Sequence, residues 1–163
     1  MGNYDYSAIR DHLGKGFADL PEAQNDADFF ADKILQCGFE PNNVTKLKNI
    51  NLKQIQDQIK KFRKTLNNNL DADKKTLIVF YFAGHGVMLE NENHIVVLES
   101  NKTKQFYRLE FCTQALSKIP NSYVITIFDC CREYMPPQVL DKRGLGHTDL
   151  VEEKYLHCDQ NFI

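Results

Sequence analysis

A chain of 163 residues fits a single domain, at roughly 100–200 residues each, and is long enough to bury a core. Hydrophobic residues at 42% and charged residues at 26% exclude a disordered chain. Twenty Lys and Arg against 22 Asp and Glu leave a net charge of −2, which excludes a broad basic face for nucleic acid. The longest apolar runs, 77–83 and 123–128, are strand-sized, so no membrane segment is expected against the roughly 20 residues that cross a bilayer. The first residues show no basic-then-apolar secretory pattern.

The first helical signal is the apolar set Ala23, Ala27, Phe30, Ile34 and Cys37, stepping by three and four. Pro21 suits its first turn, Asp19 its N-cap and Gly38 its end. A short extended piece at 44–47 follows. Leu52, Ile55, Ile59, Phe62 and Leu66 mark a second helix, capped by Asn51 and halted by Asn67-Asn68-Asn69. Beyond it, the stretch to Lys75 reads as a surface loop.

The run 77–82 has no polar alternation, which predicts a strand buried on both faces. Val87-Met88-Leu89 and Ile95-Val96-Val97-Leu98, separated by Glu90-Asn91-Glu92-Asn93, read as a hairpin. Leu109, Cys112, Leu116 and Ile119 form a third helical stripe, stopped by Pro120, and 123–128 is a second doubly buried strand. After Arg132 the periodicity fails, and a loop or tail is expected. This order defines an α/β fold, a mostly parallel sheet with helices on both faces. Its crevice lies beyond the carboxyl ends of the strands. Ala83-Gly84-His85-Gly86 and Asp129-Cys130-Cys131-Arg132 stand at those ends.

Five cysteines, Cys37, Cys112, Cys130, Cys131 and Cys158, follow no disulfide framework, which points to reduced thiols in a cytoplasmic protein. There is no C-x-x-C, and His157-Cys158 lacks a second ligand pair, so no metal site is expected. A cysteine at a strand end is often a small core residue, and a histidine in a Gly-rich turn is often only a loop residue. At neighbouring strand ends, however, they form a nucleophile and its base. The backbone N–H groups of Gly86 and Cys131 would then serve as an oxyanion hole. His12, His94, His147 and His157 sit in polar contexts and read as surface residues.

Tyr81-Phe82-Ala83-Gly84-His85-Gly86 and Phe128-Asp129-Cys130-Cys131-Arg132 resemble the two catalytic motifs of caspase-like cysteine peptidases, closest to the metacaspase and paracaspase branch. The nucleophile followed by Arg, with a His about 50 residues upstream, matches the caspase signature. Asp129 replaces the caspase Gln, and Glu133 departs from the usual Gly or Ser. Asn25-Asp26-Ala27 and Gly2-Asn3-Tyr4 are similar to further segments of the family. The resemblance implies Cys131 as nucleophile, His85 as its acid–base partner, and Cys130 as a packing residue. It also implies Asp26 and Asp129 as the lining of a pocket for Arg or Lys before the cut.

The residues themselves also bear on that pocket, since Asp26 borders the apolar face of its helix and Asp129 lies two residues before the nucleophile. The expected organisation is a caspase-like large-subunit domain at 1–131 and a loop or tail at 132–163, leading towards a small subunit. The small-subunit strands and part of the first strand are absent from the pattern. Peptide or protein substrates are expected, together with a small subunit or second chain completing the sheet. No cofactor is implied beyond the calcium activation seen in the family. A catalytically silent caspase-fold scaffold or regulatory subunit is the alternative. Lys142-Arg143-Gly144 is an expected self-cleavage site, near Arg143 or Lys154.

Overall fold

The computed structural model describes residues 1–9, 17–69, 74–89, 91–98, 106–131 and 133–134. The expected cleavage site, Arg132, Cys158, His12, His147 and His157 lie outside them. Helix α1 (Pro21–Gln36) starts with Pro21 at a position where its missing N–H costs nothing. The Asp19 cap is corrected. Leu20 holds the cap position with no side-chain bond, its N–H drawn to the Tyr4 carbonyl, and the Asp19 carboxylate accepts the Tyr6 N–H at 2.9 Å. A tertiary tie has replaced the local one. Gly38, with φ +94°, ends the helix as expected, donating its N–H to the Leu35 carbonyl.

Helix α2 (Leu52–Asn69) opens with a reciprocal capping box. Asn51 Oδ1 accepts the Gln54 N–H, and Gln54 Oε1 accepts the Asn51 N–H, both at 2.9 Å. The helix ends within the expected Asn triplet, its last residue being Asn69. Poor propensity costs at most about 0.7 kcal/mol per residue, which the apolar face ending at Leu66 outweighs by packing on the core.

Strands β1 (Thr76–Gly84), β2 (Gly86–Leu89), β3 (Glu92–Val96) and β4 (Phe106–Arg108) precede helix α3 (Leu109–Ser117). Strands β5 (Ser122–Cys130) and β6 (Glu133–Tyr134) follow it. β1 and β5 are parallel, in register from Thr76 beside Ser122 to Gly84 beside Cys130. On the other side of β1, Gly2 bridges Ala83 and also Lys48, so residues 1–3 occupy an inner position of the sheet. A second sheet of four short strands has the order β4-β3-β2-β6, with β2 and β3 forming the expected hairpin. β4 and β6, of three and two residues, are too short to carry an alternation signal.

Helices α2 and α3 cover one face of the β1–β5 pair, where Ile55, Ile59, Ile78, Phe82, Cys112 and Leu116 form the core. α1 covers the other face over β1, stacking Phe30 on Tyr81. Helices on both faces of a parallel pair are what the sequence pattern predicts. Double burial of both strands is not what is found. Along β5, Val124 and Phe128 pack on the core, while Tyr123, Ile125 and Ile127 on the α1 face are 59%, 47% and 37% exposed. Leu77 of β1 is 46% exposed on the same face. α1 lies over β1 and leaves this row uncovered among the described residues.

His94 is also corrected, because it is buried rather than superficial. Its polar neighbours Glu92 and Asn93 belong to β3 and not to a loop, and His94 is paired on both sides, with Val87 and with Arg108.

Candidate active site

Two loops leave the sheet at the same level. Ala83 is beside Asp129 and Gly84 beside Cys130, so His85 and Cys131 follow at the next step on neighbouring strands about 4.8 Å apart. Alternation decides which cysteine opens outward. Even-numbered residues of β5 point into the core, and Cys130 packs there with Phe128. Asp129 is exposed on the opposite face, and Cys131, the residue just after the strand, is exposed as well.

Glycines allow the two ends to approach. Gly84 has φ +152°, and an added Cβ would stand 2.6 Å from the Tyr6 hydroxyl. A Cβ on Gly86 would collide with the Cys131 carbonyl and stand 2.6 Å from Cys130 Sγ. The Val96 N–H donates to the His85 carbonyl at 2.9 Å. Gly86 and Ile95 are therefore a non-hydrogen-bonded pair, and the Gly86 N–H points away from β3, towards the side where Cys131 lies.

His85 is held at three points. Its backbone N–H donates to the Tyr6 hydroxyl at 2.8 Å. Its ring packs between Tyr6 and Phe17, with centroids at 4.7 and 5.0 Å. Its Nε2 lies 2.8 Å from the Ala18 carbonyl. A carbonyl only accepts, so Nε2 carries a proton and Nδ1 of the neutral ring is the free base. Tyr6 is fully buried, and burial, before any other cause, pushes its phenol well above the usual range. It therefore stays protonated.

Asp26 on α1 and Asp129 on β5 approach one group, Tyr81. The Tyr81 hydroxyl donates to Asp129 Oδ2 at 2.8 Å. Burial first, then the Asp129 hydrogen bond and the charges of Asp129 and Asp26, hold the Tyr81 phenol well above its usual range. Asp129 thus meets Tyr81 through a hydrogen bond, and Asp26 acts on it only through its charge. Among the described residues no group of three or more His, Cys, Asp or Glu side chains is arranged to hold a metal ion.

Sequence reasoning missed Tyr6, Phe17, Ala18, Phe30 and Tyr81. Only Tyr81 carried a usable signal, being two residues before Ala83 and so on the face of Asp129 in a parallel register. The supports of His85 come from residues 67 or more positions away, and no spacing rule reaches them.

A thiol and an imidazole one step beyond the ends of two paired parallel strands are suited to thiol-dependent hydrolysis. The family model of the caspase domain matches residues 1–159, and the chain belongs to this family of cysteine peptidases, which act on protein substrates. None of the curated proteins matches the chain. No helix among the described residues is long and apolar enough to cross a membrane.

Proposed function

We propose that the chain is the catalytic unit of an endopeptidase of the metacaspase and paracaspase branch, cutting after Arg or Lys with Cys131 and His85. The observation that carries this reading is the register that sets His85 and Cys131 one step beyond the paired ends of β1 and β5, with Asp129 hydrogen-bonded to Tyr81 beside them. His85 Nδ1 takes the Cys131 proton, and the thiolate attacks the scissile carbonyl carbon. The N–H groups of Gly86 and Cys131 receive the developing oxyanion. Collapse breaks the C–N bond, and the leaving amine takes the proton from His85. Water, deprotonated by His85, then hydrolyses the thioester. Asp26 and Asp129 attract the guanidinium or ammonium of the residue before the cut and repel an acidic one.

The bare row of Tyr123, Ile125 and Ile127 supports a further part of the sheet, from a small subunit or second chain, packing beside β5. The reading places the protein in the cytoplasm. Calcium activation belongs to it through the family alone.

The test uses otherwise identical peptides with Arg, Lys or Asp at the cleavage position. Cleavage should follow Arg and Lys, and Asp26→Ala and Asp129→Ala should each lower kcat/KM on the Arg peptide about 10-fold, a charged hydrogen bond's contribution. Cleavage after Asp, or an unchanged Arg preference in both variants, would overturn the assignment.

A further inference from the structure

Tyr81 has no role assigned by the resemblance, yet its hydroxyl holds Asp129, and the charge of Asp26 reaches it. It lies on the α1 face of β1, directly beside Ile127, with Asp129 one diagonal step further along. An aromatic side chain spans that diagonal of about 7–8 Å, and its hydroxyl reaches Asp129 Oδ2 at 2.8 Å. The ring is itself fixed. It stacks on Phe30 with centroids 4.2 Å apart and planes inclined by 8°. Phe30 is four residues beyond Asp26, on the same side of α1, so the stack also sets the helix that carries Asp26.

We propose that Tyr81 is a positioning residue that locks the plane of the Asp129 carboxylate and thereby makes the pocket select arginine over lysine. This rests on the reading of Asp26 and Asp129 as pocket acids. A carboxylate has about four lone-pair sites, and Tyr81 uses one, leaving both oxygens able to accept. An arginine side chain is a planar fork whose paired N–H donors need both oxygens in one plane. A lysine ammonium is a compact charge with three rotatable donors and tolerates any rotation of the carboxylate. Releasing that rotation therefore harms arginine recognition more than lysine recognition. Ala83, directly beside Asp129 and fully buried, adds no bulk to this corner.

The test is Tyr81→Phe in the full chain, which keeps the ring and its stack and removes the hydroxyl. Peptides ending in Arg, Lys or Asp at the cleavage position are assayed for kcat and KM. Their equilibrium binding is measured in parallel in Cys131→Ala and Cys131→Ala/Tyr81→Phe, which needs no turnover. KM and Kd for the Arg peptide should rise about 10-fold and those for the Lys peptide about 2-fold or less, with kcat unchanged, as expected for loss of one charge-assisted contact. Phe30→Leu, which keeps the hydroxyl and loosens the ring, should shift the Arg-to-Lys ratio the same way by a smaller factor. It serves in place of Tyr81→Phe should that variant fail to fold. Equal weakening for Arg and Lys, no change, or a loss confined to kcat would overturn the proposal. Wild-type protein that binds Arg, Lys and Asp peptides alike would instead remove the pocket reading, and the proposal with it.

Discussion

Cys131→Ala should abolish peptide hydrolysis, lowering kcat/KM by at least about 10³-fold, as loss of a nucleophile does elsewhere. Cys130→Ala should keep most of the activity. The alternation of β5 separates the two adjacent thiols. Cys130 packs against the core with Phe128, while Cys131, just past the strand end, is exposed. Losing the Cys130 sulfur removes core contacts over Gly86 and should cost about 1 kcal/mol of stability, the central value for point substitutions. His85→Ala should lose about as much activity as Cys131→Ala, and the double variant little more, because the two groups act as a unit. Steady-state kinetics with urea unfolding measures all of this. Equal losses in the two cysteine variants would mean that the register at the strand end is misassigned.

Gly86→Ala is expected to have the second-largest effect. The added methyl has no room, since it meets the Cys131 carbonyl and the Cys130 sulfur together. A backbone carbonyl cannot swing aside as a long side chain would, so the ends of β1 and β5 must separate. Overpacking of this kind costs about 1–3 kcal/mol. The larger consequence is catalytic, because a displacement of about 1 Å between reacting groups costs on the order of 100-fold in rate. Gly38→Ala is the control. Its φ is also positive, at +94°, but nothing lies within 4 Å of an added Cβ. It should lose about 1 kcal/mol through backbone strain and keep its activity. Full activity in Gly86→Ala would contradict the tight apposition of the two loops.

The sequence carried the three helices, the β2–β3 hairpin and the parallel β1–β5 pair because each has an apolar period long enough to read. It misread the burial of β5. An unbroken run such as Val124-Ile125-Thr126-Ile127-Phe128 predicts cover on both faces, but cover depends on what the rest of the fold supplies. α1 spans β1 and stops there. His94 was misplaced because a polar neighbourhood in sequence became a buried strand position once both neighbours paired with it.

At the proposed site, the position of His85 and Cys131 just after two paired strands was legible, and Asp26 and Asp129 were picked out as acids bordering apolar runs. The Ala18 carbonyl that leaves Nδ1 free, and the Tyr6 hydroxyl that holds the His85 backbone, were not. A backbone acceptor has no residue type to recognise, and a buried tyrosine 79 positions away looks like any core aromatic.

The central claim is that His85 activates Cys131, and alkylation of the thiols tests it without any substrate. Folded wild-type protein and folded His85→Ala are treated with limiting iodoacetamide near pH 7, and modification of each cysteine is followed by mass spectrometry. Cys131 should react faster than the exposed Cys37 in the wild type and should slow by at least about 10-fold in His85→Ala, with Cys37 unaffected. Equal rates at Cys131 in the two proteins would contradict the account.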